Sequence, residues 1–171
     1  MSYAAKYSLS FNSIYGDDIS VLLEQNLFVG ASEPLVAANE QPVLIERQAP
    51  TDTIGGVCGT ACRIKIINDG TFDVAEFVAN EYTDWRCRVL IGGQLKFIGF
   101  IVVDDLTNEY RVTPYGVELV FTDNLALLSD TEAPFLIETQ FTAAIQLIGP
   151  MLAQTGLELP LNVFFQPYPI S

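Results

Sequence analysis

The segment from Trp85 to Val103 constrains the fold more than any other part of the chain. Trp85, Cys87, Val89 and Ile91 alternate with Arg86, Arg88 and Leu90, Gly92-Gly93 follows, and Gln94 to Val103 returns. Period-two alternation places successive side chains on opposite faces of a strand, and two adjacent glycines supply the backbone freedom of a tight hairpin turn. The segment therefore reads as a β-hairpin. Its return arm is apolar at both parities, with Leu95, Phe97, Ile101 and Val103 on one side and Ile98, Phe100 and Val102 on the other. Both faces of that strand need cover, in the middle of a sheet or at an interface.

The same period recurs on either side of this hairpin. Tyr7, Leu9 and Phe11 alternate with Lys6, Ser8, Ser10 and Asn12, Gly16-Asp17-Asp18 supplies turn chemistry, and Ile19 to Phe28 runs on, so residues 3–28 read as a long hairpin. The arm from Gly30 to Pro50 holds one short strand at Pro42 to Arg47. Ala61 to Ile67 alternates again, with Arg63 and Lys65 on one face and Cys62, Ile64 and Ile66 on the other. Thr71 is placed to cap a helix of about two turns over Phe72 to Ala79. Tyr110 to Val112 and Tyr115 to Thr122 form a further strand region, after which Thr122-Asp123-Asn124 can cap a short helix over Leu125 to Leu128. The count is about seven strands and two short helices.

After Pro134 the period changes. Ala144, Ile145, Ile148, Met151 and Leu152 fall at helical spacing, Gly156 stands at a C-cap position, and Pro150 kinks or splits the helix. The organisation expected is a β-rich domain over residues 1–133 and a helix plus extended segment over 134–171, which could open a second module.

Residue types exclude much chemistry. The 171 residues contain no histidine, so triad hydrolysis, His-ligated metals and imidazole switching are unavailable within the chain. Cys58 and Cys62 have a spacing that could hold a metal, but only Cys87 remains to join them, so no metal site is expected, and no disulfide. Cys87 shares its strand face with Trp85 and Val89 and reads as a small core residue. The doublets Asp17-Asp18 and Asp104-Asp105 sit where strands end. Adjacent strand residues face opposite ways, so neither doublet makes a natural acid–base pair. No phosphate-binding glycine motif occurs, and no catalytic residue or cofactor is expected. The longest apolar run, Leu95 to Val103, is too short to cross a bilayer, and the start of the chain lacks the pattern of a secretory leader.

Charge sharpens the picture. Eight Lys and Arg stand against 21 Asp and Glu, a net charge of −13, which opposes binding to nucleic acid or anionic lipid. The five basic residues from Arg63 to Lys96 are the local exception, and among them Arg63 and Lys65, then Arg86 and Arg88, make two i,i+2 pairs on strand faces. They form either an outer face paired with the chain's own carboxylates or a docking patch for an acidic partner. Every basic residue lies at or before Arg111. The acidic C-terminal third thus follows a segment holding all the positive charge, which suggests complementary contacts between neighbouring copies. Only 17% of residues are charged and mean hydropathy is +0.31, so some apolar surface is expected to face other protein.

Trp85 to Leu128 also resembles tail and baseplate hub proteins of tailed bacteriophages, especially those of phages and prophages of Bacteroidetes-like hosts. The shared pattern is an alternating strand, a Gly-rich turn, an apolar strand with an aromatic-x-Gly step, and a Tyr-x-Val/Leu strand ending in Thr-Asp-x-Leu. Here these are Trp85 to Ile91, Gly92-Gly93, Phe97-Ile98-Gly99 and Tyr115-Gly116-Val117 through Thr122-Asp123-Asn124-Leu125. Phe141 to Gln154, Thr155-Gly156-Leu157 and Pro160 to Phe165 match the helix, turn and strand with which the family continues. Asn124 stands where the family commonly has glycine.

The resemblance implies a virion structural protein rather than an enzyme. It would form a closed homo-oligomeric ring, most often a trimer in this family, that joins tail tube to baseplate or spike around a lumen for DNA. The expected fold is mainly β (a β-rich α+β chain), an antiparallel barrel or sandwich with one short embedded helix and a C-terminal amphipathic helix. Subunit contacts are expected at Phe97, Phe100 and Val102 and at Ile145, Ile148 and Leu152, with other tail proteins as further partners. Two rival readings are a tail-tip carbohydrate- or receptor-binding module with exposed Tyr and Trp, and, last, a carboxylate glycan hydrolase.

Overall fold

The computed structural model describes residues 2–47, 59–70, 73–78, 83–102 and 112–125. The strands are β1 (Tyr3–Asn12), β2 (Asp18–Asn26), β3 (Glu33–Pro34), β4 (Val36–Ala37), β5 (Val43–Arg47), β6 (Thr60–Asn68), β7 (Trp85–Ile91), β8 (Gln94–Ile101) and β9 (Tyr115–Thr122), with one helix, α1 (Ala75–Val78), between β6 and β7. The fold is mainly β, as the alternation predicts. The helix is capped by the Asp73 carboxylate accepting the Ala75 N–H at 2.9 Å, and Thr71, Phe72 and Ala79 of the expected span lie outside the described residues.

Antiparallel pairing runs β1-β2-β7-β8-β9-β6. Gly92 and Gly93, with φ of 56° and 75°, form the tight β7–β8 turn. Residues 33–38 then close the sheet. β3 lies parallel to β1 with Glu33 opposite Tyr7, while β4 lies antiparallel to β6 with Val36 opposite Ile67. Between them the Leu35 N–H donates to the Ser8 carbonyl at 2.7 Å, and beyond them the Ala38 N–H donates to the Lys65 carbonyl at 3.1 Å. One bent strand therefore bridges the two edges, and the sheet becomes a nearly closed barrel. β5 takes the rest of the same β6 edge, with Val43 opposite Ile64. Closure removes most of the exposed backbone donors and acceptors that make open sheets associate edge to edge.

The inward parity of each long strand fills the barrel. Leu9, Val21, Ile64, Val89, Leu119 and Phe121 are among the residues of this single cluster. Each buried aliphatic or aromatic side chain contributes roughly 1.5–3 kcal/mol relative to exposure. The interior is thus a packed core. Cys62 and Cys87 are free thiols in that core, and burial raises the Cys87 thiol well above its ordinary value.

The apolar return strand of the hairpin lies between β7 and β9; its Phe97–Ile101 part is covered, fully or by half, on both faces, while Leu95 near its start is exposed. Phe97 points into the core and is 4% exposed, whereas Phe100 points outward yet is 0% exposed, with the Tyr3 ring 6.3 Å away. Both are consumed within the chain, which corrects their assignment to a subunit contact. Val102 is half-buried, its N–H bonded to the Val120 carbonyl at 2.8 Å. Ile145, Ile148 and Leu152, with the expected C-terminal helix and the 134–171 segment, lie outside the described residues.

Candidate functional site

Outward-facing residues divide into two unlike surfaces. On β5, β6 and β9 the outside is a charged ladder. Arg63 Nη1 donates to Glu118 Oε1 at 3.0 Å, Arg63 Nε lies 3.4 Å from Glu46 Oε2, and Lys65 Nζ lies 3.8 Å from Glu118 Oε2. Glu118, through its hydrogen bond and its charge, and then Glu46 hold the Arg63 guanidinium above its ordinary pKa. This surface is exposed and electrically balanced.

On β2, β7 and β8 the outside combines apolar side chains with a cluster of two guanidiniums round one buried carboxylate. Register sets Leu22 opposite Arg88 and Arg88 opposite Ile98, Ser20 opposite Leu90, and Glu24 opposite Arg86, which in turn faces Phe100. Leu22, Leu90 and Ile98 are half-buried, and Glu24 is 4% exposed. Arg86 Nε donates to Glu24 Oε2 at 2.7 Å with Nη2 at 2.5 Å, and Arg88 Nη1 donates to Oε1 at 3.3 Å. Two guanidiniums thus share one carboxylate. The Arg86 guanidinium also stacks 4.1 Å above the Tyr3 ring, whose hydroxyl donates to the Thr83 carbonyl at 2.6 Å. Burial raises the Tyr3 phenol pKa, and Arg86 opposes that rise.

The four residues expected as one basic patch are therefore two separate sites, with β8 and β9 between them, and each is paired with the chain's own carboxylates. That arrangement fits an outer face paired with the chain's own carboxylates, and it divides the four residues between two surfaces. Alternation identified their outward direction but carried no information about which carboxylates stand opposite. Glu24 and Tyr3 went unrecognised for that reason, although the outward parity of Glu24 on β2 was readable.

The two barrel ends also differ. At one end α1 closes the opening: Phe77 packs on Trp85 with ring centroids 4.2 Å apart, and Trp85 stacks on Tyr7 at 6.0 Å. Lys6, at a bulge in β1, reaches Glu76 Oε2 at 2.5 Å with its ammonium 5.5 Å from the Trp85 ring centroid. At the other end the β1–β2 turn presents Ile14 and Tyr15, which are 93% and 87% exposed, beside exposed Asp17 and Asp18. Ser13 holds that turn: its N–H donates to the Asp17 carbonyl at 2.8 Å, and its Oγ accepts the N–H groups of Tyr15 and Asp17 at 3.2 and 3.0 Å. Two large apolar side chains on a hydrogen-bonded turn are a display surface.

Asp17 and Asp18 are exposed at the β1–β2 turn, and Asp104-Asp105 and Cys58 lie outside the described residues. Trp85 is 1% exposed, which leaves Tyr15 as the exposed aromatic residue among those described. Comparison with protein-family models, curated proteins and solved structures returns no match for this chain.

Proposed function

We propose that the protein is a structural component of a bacteriophage tail or baseplate, a hub subunit that assembles with copies of itself into a closed ring. The observation that carries this reading is the group Leu22, Leu90 and Ile98 on the outer face of β2, β7 and β8, on a barrel whose interior is already full. Leu22, Leu90 and Ile98 are only half-buried on the outside, and an assembling subunit gains by burying them further. The likeness of the Trp85–Leu128 strand pattern to phage hub proteins supplies the setting, in the virion after assembly in the host cytoplasm. A strongly acidic chain suits a ring around DNA, since like charge lets the polyanion slide.

Light scattering on the purified full chain, with electron micrographs of the same sample, tests this reading. The expected result is a single assembly of a few copies with a central opening. A monomer at every concentration overturns it.

A further inference from the structure

Resting on that ring reading, we infer that the Ser13–Asp18 turn of one copy seats on the outer face of β2, β7 and β8 of the next. The turn and the face are complementary in two independent ways. The turn carries Ile14 and Tyr15 almost fully exposed, and the face carries half-buried Leu22, Leu90 and Ile98. The turn also carries Asp17 and Asp18, which make no ion pair among the described residues, while on the face Arg86 and Arg88 share the single carboxylate of Glu24. The Glu24–Arg86–Arg88 cluster thus holds one positive charge in excess, whereas the Arg63, Lys65, Glu46 and Glu118 ladder is balanced.

On a chain of net charge −13 most surfaces of two copies repel each other, so a self-contact forms where local charge is opposite. Arg88 is the side chain suited to receive the turn. Its side chain is 35% exposed, and Nη1 alone meets Glu24, which leaves guanidinium donors directed away from that pair. Tyr15 brings a large, stiff ring with little side-chain entropy to lose, the property of an interface anchor. Because turn and face are different patches, the contact is heterologous and propagates head to tail until it closes on itself. A ring follows from one kind of contact.

Crosslinking tests the inference in a Cys58→Ser background, with Cys62 and Cys87 shielded in the core. Tyr15→Cys and Ile98→Cys chains are mixed and treated with a short bismaleimide. Crosslinked dimer is expected in the mixture and absent from either variant alone, and Val29→Cys, from beyond the opposite end of β2, is expected not to replace Tyr15→Cys. Tyr15→Ala is expected to weaken association roughly thirtyfold, the size of a central aromatic anchor. Dimers from Tyr15→Cys alone, or equal crosslinking through Val29→Cys, overturn the contact. Rings that form without Tyr15–Ile98 crosslinks overturn the contact and leave the ring reading standing, whereas a chain that is monomeric throughout overturns both.

Discussion

Lys6 Nζ and Glu76 Oε2 lie 2.5 Å apart, and this pair ties the first strand of the barrel to the one-turn helix that closes its end. A four-residue helix cannot hold itself together in water, because nucleation costs more than its few hydrogen bonds return. α1 persists through tertiary contacts. Phe77 inserts against Trp85, Trp85 Nε1 donates to the Glu76 carbonyl at 3.3 Å, and the Tyr7 hydroxyl donates to the Glu76 carboxylate at 3.2 Å.

Glu76→Ala removes both the partner of Lys6 and an acceptor for Tyr7. The pair is partly solvated, with side chains 20% and 36% exposed, and the ammonium keeps the Tyr7, Phe28 and Trp85 rings around it. The expected loss is therefore about 1–2 kcal/mol rather than the larger cost of stranding a fully buried charge. Urea denaturation of Glu76→Ala and Glu76→Gln checks this. Gln keeps an acceptor for the Tyr7 hydroxyl, so it is expected to retain more stability than Ala.

Tyr7 gives the barrel an alkaline limit. Burial first, and then the charge and hydrogen bond of Glu76, push its phenol above its ordinary value of 10.0. A group whose pKa is raised on folding contributes stability that is fully present below the unfolded value and is lost as pH rises beyond it. Stability is thus expected to fall above about pH 10 as the unfolded chain ionises first. Tyr7→Phe is expected to be less stable at neutral pH, through loss of its hydroxyl contact, and to show a flatter decline above pH 10. Parallel slopes for the two proteins in that range contradict the account.

The Glu24 site predicts an asymmetry between its partners. Glu24→Ala leaves two guanidiniums facing each other with no carboxylate between them, an expected cost of about 3 kcal/mol, at the low end for a broken buried pair because Arg88 can turn to water. Arg86→Lys retains the charge but loses the two-donor contact and the stacking on Tyr3, and is expected to cost about 1–2 kcal/mol. Arg88→Lys makes one contact in place of one and is expected to cost less than half as much. Thermal unfolding of the three variants gives the order directly.

How legible the molecule was depended on the range of each interaction. The β7–β8 hairpin was readable up to the end of its return strand, expected at Val103 and found at Ile101, because period-two alternation and a Gly-Gly turn are local signals. β1, β6 and β9 followed from the same alternation, and β2 and β5 from extended runs bounded by turn residues. β3 and β4 escaped notice. Two residues each are too short for a period to register, yet they close the barrel through hydrogen bonds to strands far away in sequence. Phe100 shows the limit most clearly. Its outward parity and apolar character were evident, but whether Tyr3 of the same chain or a neighbouring copy covers it depends on where a residue 97 positions earlier arrives. The charged pairs were obscured for the same reason, since alternation fixes a direction and pairing fixes a partner.

Gly99 gives the aromatic-x-Gly step a physical reason. A Cβ at this position would lie 2.5 Å from the Thr122 carbonyl oxygen and 2.5 Å from the end of the Phe97 ring. The ring can rotate away; a β9 backbone carbonyl cannot. The close approach lies beside the short β8–β9 ladder, where Phe100 faces Thr122 and Ile101 faces Phe121. Gly99→Ala must therefore push β9 outward and weaken the seam that joins the hairpin to the rest of the barrel. The expected cost is about 2–3 kcal/mol, the upper part of the range for overpacking. Hydrogen exchange locates the damage, with the Val102 amide, which donates to the Val120 carbonyl at 2.8 Å, losing protection ahead of the β1–β2 amides. Unchanged stability in Gly99→Ala, or uniform loss of protection across the sheet, contradicts this role for the glycine.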